Sequence, residues 1–355
     1  MDSVTQALFG ATVAAAGFHR TLGRRVVVAG AALGTLPDLD VAVGWAADGF
    51  ATWRHHRGIT HSVLFGPVVG PFIGRAIAGW EARRRGEQDP VRLRAWIWLS
   101  VLALLTHPVI DAFTSYGTQL LAPFSDHRFA LNAMPIIDPI YSGVLLLAVL
   151  VTGFSRRSDR AVPVAALALL FITCWTLNAW AQGERTVRLA RGQLAAGGVA
   201  ATSVEAYPLL FQPWYRRVVA KAPDGLRIGR HSLLAPGPIH WTHVPQLPDP
   251  RFNTVAALPE ARLLHWFAKG HLAWRAAPAA GGGSVVEATD TRYGMAGDSL
   301  LGFWGIRVPL DAAGQVTGRP EIVTRRPAAD ADFLGTFWRE LIHGPGAPPP
   351  TLPEG

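Results

Sequence analysis

The chain has 355 residues; half are apolar, 16% are charged, and mean hydropathy is +0.22. Soluble domains average about 25% charged residues, so this composition excludes an ordinary soluble enzyme and a disordered chain. The net charge of +8 first suggests nucleic acid, but the arginines cluster beside apolar stretches and no nucleic-acid-reading module is present. The same arginines instead orient a membrane protein. The single Cys174 allows no disulfide within one chain.

Six stretches approach the roughly 20 residues that cross a bilayer. They are 2–18, 26–47, 62–80, 95–113, 137–154 and 162–181. The first has no basic residues before it, so it does not read as a cleaved signal peptide. The loops after the first, third and fifth stretches carry eleven arginines; the intervening loops carry three. Positive charge marks the cytoplasmic side. The expectation is therefore an external amino terminus, six crossings and an extracytoplasmic carboxy-terminal part.

The fold class expected is mainly α: a polytopic six-helix transmembrane bundle over 1–181, then a smaller α+β or mainly β domain over 182–343. Within that domain, Trp214 to Leu234 reads as a hairpin around Ala222-Pro223-Asp224-Gly225. Ser284 to Tyr293 and Leu301 to Leu310 read as strands, and Ala277 to Gly283 as a linker. The Pro/Gly-rich end, 344–355, reads as disordered.

Ionisable residues inside apolar stretches are costly, which makes them functional candidates. They occur in Leu36-Pro37-Asp38-Leu39-Asp40, in His55-His56-Arg57-Gly58-Ile59-Thr60-His61-Ser62, and in Thr106-His107-Pro108-Val109-Ile110-Asp111. Asp38 and His107 each lie 13 residues beyond an inner arginine (Arg25 and Arg94), about 20 Å along a helix. Separate segments thus bring Asp and His to one depth, in the outer third of the membrane. His107 and Asp111, four apart, share a helical face. Pro37 disfavours a helical Leu36, which would break the helix and splay Asp38 and Asp40 toward one cavity.

Imidazole and carboxylate ligands without thiolate suit zinc first, with manganese or iron as alternatives. The expected ligands are Asp38, Asp40, His56, His61, His107 and Asp111, enough for one or two ions. His56 and Asp40 would also serve proton transfer. Arg57, Tyr116, Thr118, Arg128 and Asp138 are the expected substrate contacts, the arginines holding an anionic headgroup.

The opening Met1-Asp2-Ser3-Val4-Thr5-Gln6-Ala7, the Leu-Pro-Asp-Leu-Asp at 36–40, the His-Arg-Gly-Ile-Thr-His-Ser at 56–62, and His107 to Asp111 followed by Tyr116-Gly117-Thr118 occur in that order. Together they resemble the YdjM-like family of inner-membrane proteins, described as metal-dependent hydrolases (domain of unknown function 457). The resemblance covers about residues 1–145. It implies a membrane hydrolase with a divalent metal on the matching Asp and His positions and supplies no substrate. The expected substrate, a phosphoester or other ester of a lipid or envelope molecule, follows from the depth of the cluster near the outer headgroups, and nucleic acid is not an expected partner. Some relatives have His where this chain has Gln6 or Val41, which leaves a second ion open. Two other readings stay open: a metal-independent lipid-phosphate phosphatase with a His nucleophile, and a metal-binding scaffold or transporter without hydrolysis.

Overall fold

The computed structural model describes residues 1–235, 237–246, 248–294, 302–325 and 331–346. The chain divides into two compact units, Met1–Trp180 and Ala181–Gly355. Each is described by itself.

The first unit is helical. Asp2 caps α1 (Ser3–Leu22) by accepting from the Thr5 amide, and a glycine turn leads into α2 (Val26–Thr35). A 3-10 segment follows at Leu36–Val41, then α3 (Ala42–Ala46) and α4 (Gly49–His55). A short 3-10 turn, Ile59–His61, precedes α5 (Phe65–Arg85). Asp89 caps α6 (Pro90–Asp111), and Asp138 caps α7 (Pro139–Phe154). The last helix, α8, is Ser158–Ala196.

Two glycine seams let these helices approach closely. A Cβ on Gly10 of α1 would stand 2.3 Å from the Gly30 carbonyl of α2, and one on Gly34 would stand 2.6 Å from the Gln6 carbonyl. On α5, Gly66, Gly70 and Gly74 form one stripe, and a Cβ at any of them would meet α6 backbone within 2.8 Å. Small residues at four-residue spacing bring helical backbones together, as membrane helices commonly do. Around the first seam, Ala11, Ala14, Ala15, Val26, Leu33, Leu99 and Ala103 form a buried core.

Every expected apolar stretch lies on a helix, but not every helix is a self-sufficient span. Val26–Ala46, Pro90–Asp111 and Ser158–Ala196 are long and apolar enough to cross a bilayer. A fourth candidate exists if Gly49–His61 and Phe65–Arg85, bent by 65°, count as one broken span. α1 fails on composition because Thr5, Gln6, Thr12 and His19 dilute it; these are buried inside the unit, so its apolarity need not face lipid. α7, with 16 residues, fails on length. The helix break also differs from expectation. Leu36 keeps α-region angles (φ −55°, ψ −42°), and the chain tightens into a 3-10 turn instead of breaking.

The second unit holds two antiparallel four-stranded sheets, each in sequential order. The first contains β1 (Ser203–Pro208), β2 (Tyr215–Ala222), β3 (Gly225–Ser232) and β4 (Thr242–Pro245). Helices α9 (Pro250–Ala256) and α10 (Pro259–Phe267) follow. The second sheet contains β5 (Leu272–Pro278), β6 (Ser284–Asp290), β7 (Trp304–Leu310) and β8 (Glu321–Thr324). Helix α11 (Ala331–His343) closes the described chain.

The hairpin about Pro223-Asp224 forms as expected, with Ala222 opposite Gly225. The linker expectation at Ala277 to Gly283 is corrected. Ala277 and Pro278 pair with Val285 and Ser284 as the end of a strand, and the glycines make the hairpin loop. Leu301 and residues 347–355 of the expected tail lie outside the described residues.

His271 is buried in the second unit near Lys221, Arg292 and Lys269. Burial first, then those cations, push its imidazole down to about 3. Its unfolded value is 6.5, so the unfolded chain binds more protons between these limits. The resulting stability is full above pH 6.5 and is lost as pH falls toward 3. His271→Leu should therefore flatten the acid lability of this unit, read by limited proteolysis of the full chain from pH 7 to 4. An unchanged profile would show that other groups set it.

Candidate metal centre

Four residues from three elements converge on one point. Asp38 comes from the first 3-10 turn, His61 from the second, and His107 and Asp111 from the last turn of α6. His61, His107 and Asp111 are buried, and Asp38 is nearly so. One ligand atom from each lies within 4.8 Å of the others.

The two imidazoles face each other through their Nε2 atoms, 3.0 Å apart. Asp38 Oδ1 stands 3.4 Å from both nitrogens. Asp111 Oδ2 stands 3.4 Å from His61 Nε2 and 3.6 Å from His107 Nε2. Nitrogen and oxygen atoms about 2.0–2.1 Å from a tetrahedral ion lie about 3.3–3.4 Å apart. The observed spacings bracket that value.

Acceptors behind each ring fix which nitrogen faces the centre. His107 Nδ1 lies 2.6 Å from the Gly34 carbonyl, which can only accept, so Nδ1 carries a proton and the neutral ring presents the Nε2 lone pair to the centre. His61 Nδ1 lies 3.1 Å from Asp40 Oδ2 and 3.0 Å from Thr60 Oγ1. The carboxylate gives His61 the same tautomer. Two bare lone pairs and two carboxylates repel one another unless a cation or protons sit among them. Asp38, Asp40 and Asp111 bring three negative charges, against which stand Arg57 and the Met1 amino group, both paired with Asp111. The remaining negative charge favours a cation.

Asp40 and His56, also expected as ligands, stand behind the four rather than among them. Asp40 Oδ1 lies 2.7 Å from His56 Nδ1. Its Oδ2 accepts from the Arg57 amide at 3.0 Å and from Thr60 Oγ1 at 2.8 Å, besides facing His61. Asp40 thus orients His61 and leaves His56 with an uncommitted Nε2 on a side chain that is 19% exposed.

The expected substrate contacts fall in several places. Arg57 is buried and turned inward, its Nε 3.1 Å from Asp111 Oδ2 and its Nη1 donating to Thr114 Oγ1 at 2.6 Å. Its backbone is left-handed (φ 61°), which costs a non-glycine residue about 1–2 kcal/mol. The bond to Asp40 and the pair with Asp111 offset that cost. Arg128 donates to the carbonyls of Trp53 and Gly117. The guanidiniums of Arg57 and Arg128 each lie 5.0 Å from the Tyr116 ring, which stands 5.3 Å from His56. Thr118 is buried and pairs through its backbone with Phe129. Asp138 caps α7, accepting from the Ile140 and Tyr141 amides and from Trp175 Nε1.

Sequence reasoning assigned no site role to three participants from α1 and α2. Ser3 Oγ donates to Asp38 Oδ2 at 2.7 Å, and Gln6 Nε2 donates to Asp111 Oδ1 at 2.9 Å. The third is the Gly34 carbonyl behind His107. The Met1 amino group also lies against Asp111 Oδ1. Ser3 and Gln6 are three apart and share a helix face, the signal that would have found them. Gln6 Oε1 is buried with no donor from the described protein. Rotating the amide would aim this oxygen at a carboxylate, so the assignment is chemically fixed.

A helical membrane region with a buried His/Asp cluster that could hold a metal ion is the class that fold and site define. The chain belongs to the YdjM inner membrane protein family, whose sequence pattern matches residues 1–183. It is 36% identical over 110 residues to inner membrane protein YbcI of Escherichia coli K12, covering 30% of this chain and 57% of that protein. It is 32% identical over 126 residues to the uncharacterized protein YfhP of Bacillus subtilis 168, covering 35% of each. The chain therefore spans well under two thirds of either relative. No solved structure matches it significantly.

Proposed function

We propose that this chain is an integral membrane metal-dependent hydrolase acting on a phosphoester or other ester of a lipid or envelope molecule. The observation that carries this reading is the pair of buried Nε2 atoms 3.0 Å apart, flanked by Asp38 and Asp111. Asp38, His61, His107 and Asp111 would hold one divalent cation, zinc first, manganese or iron next. Such a cation acidifies water and polarises an ester oxygen. Asp40 supports one ion rather than two, because both of its oxygens are engaged.

The protein's own groups do the rest. His56, backed by Asp40, exchanges a proton through Nε2 at the more open side of the cluster. Gln6 Oε1 supplies an acceptor that a water molecule satisfies. Arg57 holds Asp111 in place. In this reading all six helices cross the membrane, α1 and α7 sheltered by their neighbours. The arginine bias puts the amino terminus and residues 182–355 outside, which leaves the cluster nearer outer headgroups than the cytosol. Reporter fusions after Arg85 and Arg157 should read cytoplasmic, and after Gly183 extracytoplasmic. A cytoplasmic result at Gly183 would overturn the orientation.

One observation favours a second reading, a bound ion without turnover. Catalytic zinc sites usually keep three protein ligands and an open position, whereas four ligands at tetrahedral spacing resemble a structural site. Metal analysis of detergent-purified wild type beside His61→Ala tests the ion, with about one equivalent expected only in wild type. Hydrolysis of phosphoester and carboxylic-ester lipids by the loaded protein then separates the readings. Metal with no turnover of either class would establish the second.

A further inference from the structure

We propose that the α5–α6 end of the helical unit is a binding site for the phosphate of an acidic phospholipid. A cavity of about 620 Å³ opens there, lined by Arg75, Ala78 and Gly79 of α5, the connecting turn, and Arg92 and Leu93 of α6. Four arginines reach it: Arg75, Arg83, Arg85 and Arg92.

Its carboxylates are already engaged. Glu81 accepts from Arg92 Nε at 3.1 Å and from Trp96 Nε1 at 2.8 Å. Asp89 caps α6, accepting from the Val91 and Arg92 amides. Glu87 pairs with Arg85 at 3.2 Å. Arg75 and Arg83 have no acidic partner among the described residues. The cavity thus carries four arginines against three carboxylates, with Arg75 and Arg83 left without an acidic partner among the described residues.

Their depth selects the source of the phosphate. Arg75 lies five residues inside the end of the apolar stretch at residue 80, about 8 Å along α5. A guanidinium on a membrane helix at that position is costly and marks a functional contact by default. A soluble anion stays at the aqueous end, near Arg83. A phospholipid brings its phosphate to the same end with its acyl chains beside α5, where the Arg75 stem can lie along them and its head can reach the phosphate. Basic pockets between membrane helices hold acidic headgroups in this way. The proposal is independent of the metal reading, because no residue of the cluster lines the cavity.

Native mass spectrometry of the full-length protein in detergent, titrated with phosphatidylglycerol or phosphatidylcholine, tests it. Wild type should retain one phosphatidylglycerol and discriminate against phosphatidylcholine. The double variant Arg75→Gln/Arg83→Gln should bind phosphatidylglycerol about 30-fold more weakly, at about one surface-charge contribution per arginine. Arg156→Gln, on another loop, should leave retention unchanged. Equal retention by the double variant, equal loss in Arg156→Gln, or displacement of the lipid by millimolar inorganic phosphate would overturn the proposal. Thermal melting of wild type gives a second measurement that needs no variant: phosphatidylglycerol should raise the midpoint, and an equal rise with phosphatidylcholine or inorganic phosphate would also refute a selective lipid site.

Discussion

His107→Ala should purify as an inserted helical protein that carries no metal above background after dialysis. The variant loses a nitrogen at the centre of the cluster, 3.0 Å from His61 Nε2 and 3.4 Å from Asp38 Oδ1. It also takes away one of the two imidazole nitrogens that stand between the Asp38 and Asp111 carboxylates. Insertion should survive, since apolar stretches elsewhere drive it. Asp111→Asn preserves shape and removes charge, and should lose metal nearly as completely. Asp40 reaches the cluster through His61 and through its bonds to His56, Arg57 and Thr60, and residues behind the ligands typically change affinity about 10–100-fold. The expected order of metal retention is therefore wild type, Asp40→Asn, then Asp111→Asn and His107→Ala. Plasma emission analysis against protein concentration reads it. Full occupancy in His107→Ala would end the metal assignment, and full occupancy in Asp111→Asn would reduce Asp111 to a helix-face partner of His107.

Gly30→Val should damage the same site from a distance. A Cβ at Gly30 would stand 2.4 Å from the Gly10 carbonyl and 2.5 Å from the Ala14 Cβ. Backbone cannot yield as a flexible side chain does, so α1 and α2 must part, at a cost above the roughly 1–3 kcal/mol of ordinary overpacking. α1 carries Ser3 and Gln6, and α2 carries the Gly34 carbonyl that orients His107. Their separation should lower both the melting midpoint and the metal content. Gly17→Ala is the matched control, because a Cβ there meets nothing within 4 Å. It should be neutral or mildly stabilising, by the helix propensity gained. If Gly30→Val keeps wild-type metal content and melting, the seam does not position the site.

Much of this centre was legible in the sequence because its chemistry violates its surroundings. Asp38, His61, His107 and Asp111 stand out in apolar segments, and counting from the nearest arginines placed Asp38 and His107 at one depth. What periodicity could not assign was which polar residues touch the centre. Asp40 and His56 have ligand-type side chains, but only coordinates reveal that Asp40 spends its oxygens on His56, Arg57, Thr60 and His61. Arg57 looks like an anion clamp in sequence; its left-handed backbone turns it inward to Asp111.

Three or four helices pass as spans by length and composition where the sequence offered six, for a related reason. A window of apolar residues registers α1 and α7, but not whether lipid or protein covers them. In the second unit, the Pro-Asp-Gly turn revealed one hairpin, whereas β4 and β8 have only four residues each and too little alternation to register.

The ligands come from three separate stretches of chain, and this has a consequence for synthesis in the cell. His61 and His107 are 46 residues apart. At about 5–20 residues per second, the ribosome needs about 2–9 s to deliver the second after the first. During that interval Asp38, Asp40 and His61 lie beside one another without the α6 half of the cluster. Occupancy, on the proposed reading, would be a late event in biogenesis. An ion arriving then would fasten early and late segments together, and cells starved of it should accumulate a half-assembled chain open to membrane proteases.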